Sequence, residues 1–387
     1  MLRVLTLSTL FPNALKPTLG VFVERQTLGL AARKDVAVEV VAPVGLPIWP
    51  LSRHPHYAPL AALPRQESWK GLTVHRPRYR VWPRLGVALT ARSIAKALLP
   101  LLRDIRARFP FDVIDAEFFW PDGPAAVRLG RALGVPVSIK ARGSDIHYWT
   151  DRPGVRSRII AAGRAADGML AVSEALKRDM VALGMPSDRI SVHRTGVDMA
   201  RFQPVDRGAA KAELGLSGAL LVCAGALIER KGQRIVIETL ARLPGASLIL
   251  VGEGPDRPVL ERMIRDRGLN DRVRLVGNRP HEELPRYLAA ADLALQPSLS
   301  EGLANVWVEA MACGTPVVTC DVGGAREAID RPAAGRLVAR DAEAFASAAA
   351  QILADPPGQD EVRVAAERFS WEKNSDQLFA HLSALGR

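Results

Sequence analysis

Short apolar runs alternate with segments of helical period along nearly the whole chain. In the first half the apolar runs predict strands over 3–9, 36–43, 72–79, 112–117, 135–142, 168–173 and 190–196. Helical spacing falls between most of them, as over 23–34, 122–134 and 173–184. The pattern is lost over 198–218, which reads as a linker. Strands resume over 220–226, 247–252, 273–277, 293–297, 316–321 and 336–339, with helical spacing over 232–243, 256–268 and 281–291. Continuous apolar strands alternating with helices imply parallel sheets covered on both faces. The expected fold class is therefore α/β: two Rossmann-like domains, with parallel sheets facing across a cleft. The expected domains are 1–200 and 206–370, with a final helix over 371–387 crossing back to the first. There is no internal repeat and no low-complexity tract.

Composition narrows the class. At 387 residues, 48% hydrophobic and 24% charged, the chain suits a soluble protein of two domains. No apolar run approaches the roughly 18 residues of a spanning helix, and the N-terminal MLRVLTLSTLFPN reads as a buried strand rather than a secretory signal. Cys223, Cys313 and Cys320, an odd number in apolar segments, read as buried thiols, so a cytoplasmic location is expected.

Charge is unevenly spread. Residues 1–200 hold 29 Lys and Arg against 16 Asp and Glu; the remainder holds 23 against 25. Within 51–108, 12 basic residues, Arg76, Arg78, Arg80 and Arg84 among them, meet two acids, Glu67 and Asp104, with Trp69, Tyr79 and Trp82 interleaved. Such a stretch attracts an anionic surface. The inner face of a membrane is the candidate, giving a peripheral location; no nucleic-acid motif is present, so nucleic acid is not expected as a partner. Over 88–109 the residues Leu89, Ile94, Leu98, Leu101, Leu102, Ile105 and Phe109 share one helical face. A core-facing surface helix is the favoured reading, in-plane membrane binding the alternative, and Pro100 is expected to kink or split it.

The densest candidate chemistry is SEGLANVWVEAMACGTPVV, starting at Ser300. A polar loop ends at Gly302 and feeds a helix over about 304–313, stopped by Gly314. The first turn, from Gly302 through Leu303, Ala304 and Asn305, offers unpaired amides to a phosphate. Glu301 sits at its mouth, and Glu309 lies on the face of Asn305 one turn on, suited to paired hydroxyls such as those of a ribose. The combination points to a nucleotide-sugar site.

The chain here resembles the family-4 retaining glycosyltransferases of GT-B fold, through the E-x7-E pair Glu301/Glu309 and the EAMACGTPVV that follows. The resemblance extends through WPDGPAA from Trp120, ARGSD from Ala141, VSEALKRDM from Val172, TGVD from Thr195, ERKG from Glu229 and VGEGP from Val251. It implies a metal-independent hexosyltransferase that moves a sugar, with retention of configuration, from a nucleotide-sugar donor to a saccharide or lipid-linked acceptor in cell-surface polysaccharide or glycolipid synthesis. No cofactor is implied; the nucleotide-sugar is a substrate. Two other classes remain: a GT-B nucleotide-sugar epimerase, and a non-catalytic nucleotide-sugar-binding partner at the membrane surface.

Site residues follow from position and resemblance together. Lys231, with Arg230, follows a strand end and would face the donor diphosphate. The family usually adds an arginine directly after that strand's glycine; here Ala226 stands there, and Arg230 is the candidate substitute. Glu301 would touch the donor sugar, Glu309 the ribose. Gly20 stands where the family brings backbone amides to the phosphates, while Gly252, Gly254, Asn278 and Arg279 would lie against the nucleoside. Glu117 occupies the place of a family histidine, near donor sugar and acceptor, and is read as a catalytic candidate. Asp115 and Glu117 are too few ligands for a metal. Arg142 and Asp145 fall on the acceptor side. His147, His193 and His281 read as satisfied surface histidines, His281 at a helix start.

Overall fold

Two compact units divide the chain: Met1–Arg194 with Trp371–Arg387, and Thr195–Ser370. The structure, a computed structural model, describes residues 1–82 and 86–386.

The first unit is built on Leu2–Leu7 (β1), Val36–Val41 (β2), Val44–Pro47 (β3), Gln66–Trp69 (β4), Leu72–His75 (β5), Arg78–Val81 (β6), Val113–Ala116 (β7), Val137–Ala141 (β8), Gly168–Ala171 (β9) and Ile190–Val192 (β10). Eight of them form one sheet in the order β10-β9-β8-β7-β1-β2-β5-β4. Its pairings are parallel except β4 with β5. The inner strands are buried on both faces, which is why they read as unbroken apolar runs. The helix Trp371–Leu385 lays Leu378 and Leu382 against Val4, Val36, Val113 and Leu170.

The 72–79 run is not one strand. Pro77 has no N–H for a ladder, so β5 ends at His75, and the chain re-pairs as β6 with β3 in a separate two-stranded parallel ribbon. β3, interrupted by Gly45 and Pro47, and β4, polar at three of its four positions, were not anticipated. The helix Thr90–Arg108 is continuous, with Pro100 on its exposed side rather than at a split. Its Ile94, Leu98, Leu102 and Ile105 are buried in the core, so this apolar face is already occupied. The 198–218 segment contains a helix, Arg207–Glu213, capped by the Asp206 carboxylate on the Ala209 amide. It buries no residue and so leaves no apolar period to read.

The second unit holds Leu220–Ala224 (β11), Ser247–Val251 (β12), Val273–Gly277 (β13), Leu293–Gln296 (β14), Val317–Cys320 (β15) and Gly335–Val338 (β16), all parallel in the order β13-β12-β11-β14-β15-β16. A core runs from Leu221, Leu248 and Leu293 to Val236, Leu240 and Phe345 on the covering helices. Cys223, Cys313 and Cys320 are buried free thiols.

Candidate active site

In an open parallel sheet, ligands bind outside the carboxyl ends of the strands where the order reverses. In the second unit that point lies between β11 and β14. β11 leads to the single turn Glu229–Lys231, and β14 to the loop before the helix Asn305–Ala312. Topology thus delivers Lys231 and Glu301 to one place, and the Lys231 ammonium is paired with Glu301 Oε1. Both side chains are mostly buried, 19% and 11% exposed. The helix carries no side-chain cap at Ala304, leaving its first amides for a ligand. Leu303 and Ala304 are buried and Asn305 is half-buried.

Arg230 takes a different part from that expected. One guanidinium nitrogen donates to the Ser300 carbonyl at 2.7 Å, and its own carbonyl accepts from the Leu299 amide at 2.8 Å. It braces the loop that carries Glu301, and near Ala226 the side chain bonded to the backbone is that of Gln233. A second brace comes from Gly323, whose φ is +50°; a Cβ there would stand 1.9 Å from the Glu301 carbonyl oxygen. The adjacent Gly324 amide donates to the Gly302 carbonyl at 2.7 Å. Gly323→Ala is therefore expected to displace the Glu301 loop, destabilising the protein by about 1–3 kcal/mol and lowering turnover. Thermal unfolding and kinetics on that variant check it; a wild-type melt with wild-type turnover would refute the brace.

Glu309 is buried, with Oε1 accepting from His281 Nε2 at 2.6 Å, while Oε2 has no hydrogen-bond partner among the described residues. His281 is therefore not a bystander at a helix start. Its ring packs edge-on against Phe202, 5.3 Å between centroids, and fixes which carboxylate oxygen remains available. Gly252 and Gly254 let the loops after β11 and β12 close on each other: a Cβ would meet the Gly225 and Leu227 carbonyl oxygens at 2.0 and 2.2 Å. Asn278 and Arg279 lie exposed after β13, Arg279 Nε donating to the Val276 carbonyl at 2.9 Å.

In the first unit the order reverses between β7 and β1. The loop after β1 ends at Gly20, which opens the helix Val21–Ala31 in a left-handed conformation. Glu117 follows β7. It is 0% exposed, and its carboxylate is taken by Arg142 and by Gln26 Nε2. Arg142 Nε also donates to the Glu117 carbonyl at 2.9 Å, with the guanidinium over the Phe22 ring at 4.6 Å. In this arrangement the carboxylate of Glu117, read from sequence as a catalytic candidate, is buried and held by two donors, and it orients Arg142. Asp145 is likewise wholly buried, its oxygens accepting from the amides of Phe119, Arg142 and Gly143 at about 2.9 Å each. It clamps the loop on which Arg142 stands.

Behind this pair lies a buried polar network. Lys140 on β8 is 0% exposed and donates to Gln26 Oε1 and to His193 Nδ1, the latter at 2.6 Å. His193 Nε2 donates to the Asn374 carbonyl at 2.8 Å, which fixes the tautomer that accepts from Lys140. The surface reading of His193 is thus overturned: it is 1% exposed. Burial, reinforced by Arg142, pushes Lys140 down to about 7. Burial holds His193 well below its ordinary value and, with the Glu117 carboxylate, lifts Asp115 well above its own. Both Asp115 oxygens are buried without a hydrogen-bond partner among the described residues. His147, by contrast, pairs at the surface with Asp179 at 2.9 Å, as expected. Lys140 was detectable in sequence as a lone charge inside the apolar VSIKA run; Gln26 and His193 carried no comparable mark.

Comparison with known proteins agrees along the chain. Residues 20–201 match Glycosyltransferase Family 4, and residues 218–355 match Glycosyl transferases group 1. A Bacillus subtilis (strain 168) protein assigned as the teichuronic acid biosynthesis glycosyltransferase TuaC is 31% identical over 344 residues, covering 84% of this chain and 82% of its own. Among solved structures, sucrose-phosphate synthase from Thermosynechococcus elongatus aligns at TM-score 0.79 and 22% identity, over 99% of this chain and 100% of that one. Anabaena HepE in complex with UDP and glucose aligns at TM-score 0.77 and 20% identity, over 100% of both. With both halves matched, and a glycosyltransferase aligned over most of the length of each, the chain belongs to the family-4 glycosyltransferases of GT-B fold.

Proposed function

We propose that this glycosyltransferase moves a hexose, with retention of anomeric configuration and without a metal ion, from a nucleotide-sugar to a saccharide or lipid-linked acceptor in cell-surface polysaccharide or glycolipid synthesis. The observation that carries the reading is the Lys231–Glu301 pair at the switch point of the second unit, in front of an uncapped helix start. Negative charge builds on the leaving diphosphate as the glycosidic bond breaks, and a fixed ammonium stabilises it there. Glu301 accepts from hydroxyls of the donor sugar, and the unengaged Oε2 of Glu309 accepts from the ribose. The first unit binds the acceptor, with Arg142 presented by Glu117 and Asp145. The structural relative bound to UDP and glucose supports a nucleotide-sugar donor.

Peripheral contact with an anionic membrane face belongs to the same proposal. Among the described residues no helix is long and apolar enough to cross a membrane. Of the arginines expected to meet the membrane, Arg76 is 1% exposed and bonded to Glu67, so it is withdrawn from that role; Arg84 lies outside the described residues.

The reading is tested by incubating purified protein with nucleotide-sugars and following transfer, donor hydrolysis and epimerisation. Epimerisation without transfer would replace it. Glu309→Gln is expected to weaken nucleoside diphosphate binding by about 1.5–3 kcal/mol, the loss of a charge-assisted hydrogen bond. Calorimetry reads this directly, and unchanged affinity would remove the ribose role.

A further inference from the structure

The ribbon β3–β6 lies beyond the carboxyl ends of β2 and β5, from which each of its strands is reached after two residues. Beside it opens a pocket of about 500 Å³ lined by residues of two kinds. Leu46, Pro47, Ile48 and Trp49 are apolar, while Arg78, Tyr79 and Arg80 are polar, with Leu46 and Arg80 paired across the ribbon. Ile48 and Trp49 are 49% and 71% exposed, much more than a core needs. The Arg78 guanidinium donates to the carbonyls of Arg76 and Leu63, so it is a fixed charge rather than a swinging one. Its affinity for its proton is reduced by burial and by Arg65 and Arg76 nearby, a sign of crowded positive charge. The Arg80 guanidinium is exposed and has no partner among the described residues, so it is open to an anion.

A free phosphate would leave Trp49 and Ile48 wet, and a neutral lipid would leave Arg80 unpaired. An amphiphilic phosphate satisfies both kinds of residue. Position fits as well. β7, which presents Glu117, is two strand spacings from β2 in the same sheet, about 10 Å along one carboxyl edge. We propose that this pocket binds the phosphate and first part of the chain of a lipid-linked acceptor. The inference deepens the acceptor reading above and rests on it.

Farnesyl phosphate, below its micellar concentration, is the probe, with inorganic phosphate, farnesol and phosphatidylglycerol vesicles beside it. Saturable binding of farnesyl phosphate is expected, weakened about tenfold or more by each of Trp49→Ala and Arg80→Glu. Inorganic phosphate and farnesol should each bind at least about tenfold more weakly than the probe. Both substituted side chains are exposed, so unchanged melting should accompany the loss. Wild-type affinity in both variants would overturn the proposal. So would inorganic phosphate binding as tightly as the lipid, or vesicle binding that needs Trp49 and Arg80 without any binding of farnesyl phosphate. Nucleoside diphosphate binding is measured on the same samples. If the parent protein binds farnesyl phosphate but no nucleotide, the pocket stands and the donor assignment falls; if it binds nucleotide but no farnesyl phosphate, the reverse holds.

Discussion

Lys231→Ala is expected to slow sugar transfer by about 10²- to 10³-fold, the usual loss when one preorganised charge stabiliser is removed. The argument rests on place as much as on charge. Lys231 is delivered by the end of β11 to the sheet's switch point, and its ammonium is paired with Glu301, itself set by the end of β14. Without the lysine, the Glu301 carboxylate stands alone and the leaving diphosphate loses its cation, so both binding and turnover suffer. Nucleoside monophosphate binding should fall much less, because the distal phosphate is the one served. Arg230→Ala should act differently. Its guanidinium holds the Ser300 carbonyl, so the loss arises from a loosened Glu301 loop, and about tenfold is expected from so small a misplacement. Steady-state kinetics on the two variants separate these roles. Wild-type turnover in Lys231→Ala would remove the lysine from the reaction, and an equal, large loss in both would restore Arg230 as a second phosphate cation.

What could be read in advance follows from what periodicity encodes. Strands buried on both faces announce themselves as apolar runs, so β1, β2 and β7–β9 of the first sheet, and β11, β12, β14 and β15 of the second, were anticipated within a few residues. The ribbon β3–β6 was not, because its pairing depends on Pro77 releasing the chain from the main sheet, and no period marks that event. The helix Arg207–Glu213 escaped for the same reason, having no buried side to impose spacing. At the site, residues adjacent in sequence to a motif were legible: Glu301 and Glu309 share a helix with its preceding loop, and Lys231 follows a strand end. Residues that matter by touching another element were not. His281 reads as an ordinary histidine until β13 and the Asn305–Ala312 helix bring it to Glu309. Gly323 looks like half of a Gly-Gly turn until the Glu301 carbonyl is found where its Cβ would be. Glu117 is a converse case. Its position in the motif suggests contact with substrate, while nothing in the sequence announces its burial or the two donors, Arg142 and Gln26, that hold it.

The network behind Glu117 predicts a pH dependence of stability with a definite sign. Lys140 is buried without a carboxylate bonded to it, and burial lowers it to about 7, while in the unfolded chain it titrates near 10.4. Between those values the unfolded state binds more protons than the folded one, so Lys140 makes stability rise with pH. Its penalty is present in full below about 7 and is relieved as pH climbs towards the unfolded value. Asp122, raised by burial to about 7, makes its opposing change mostly below and around that value, and does so in parent and variant alike. Asp115, also raised, opposes Lys140, and losing the neighbouring ammonium would raise it further. Both effects move Lys140→Met in one direction: its stability should rise less steeply with pH than that of the parent, by about 1 kcal/mol per pH unit between pH 7 and 9. Urea unfolding followed by tryptophan emission suits the measurement, since Trp307 is the one tryptophan of the seven that lies in the second unit. Parallel slopes for the two proteins would mean that Lys140 keeps its charge in the fold throughout this range. The same substitution leaves Gln26 Oε1 with only the long 3.5 Å bond from Arg142 Nη2, so the amide that holds Glu117 is less firmly fixed, and Arg142 with it. A fall in turnover for Lys140→Met, with nucleotide affinity unchanged, is the result that would tie this buried lysine to the acceptor side of the reaction.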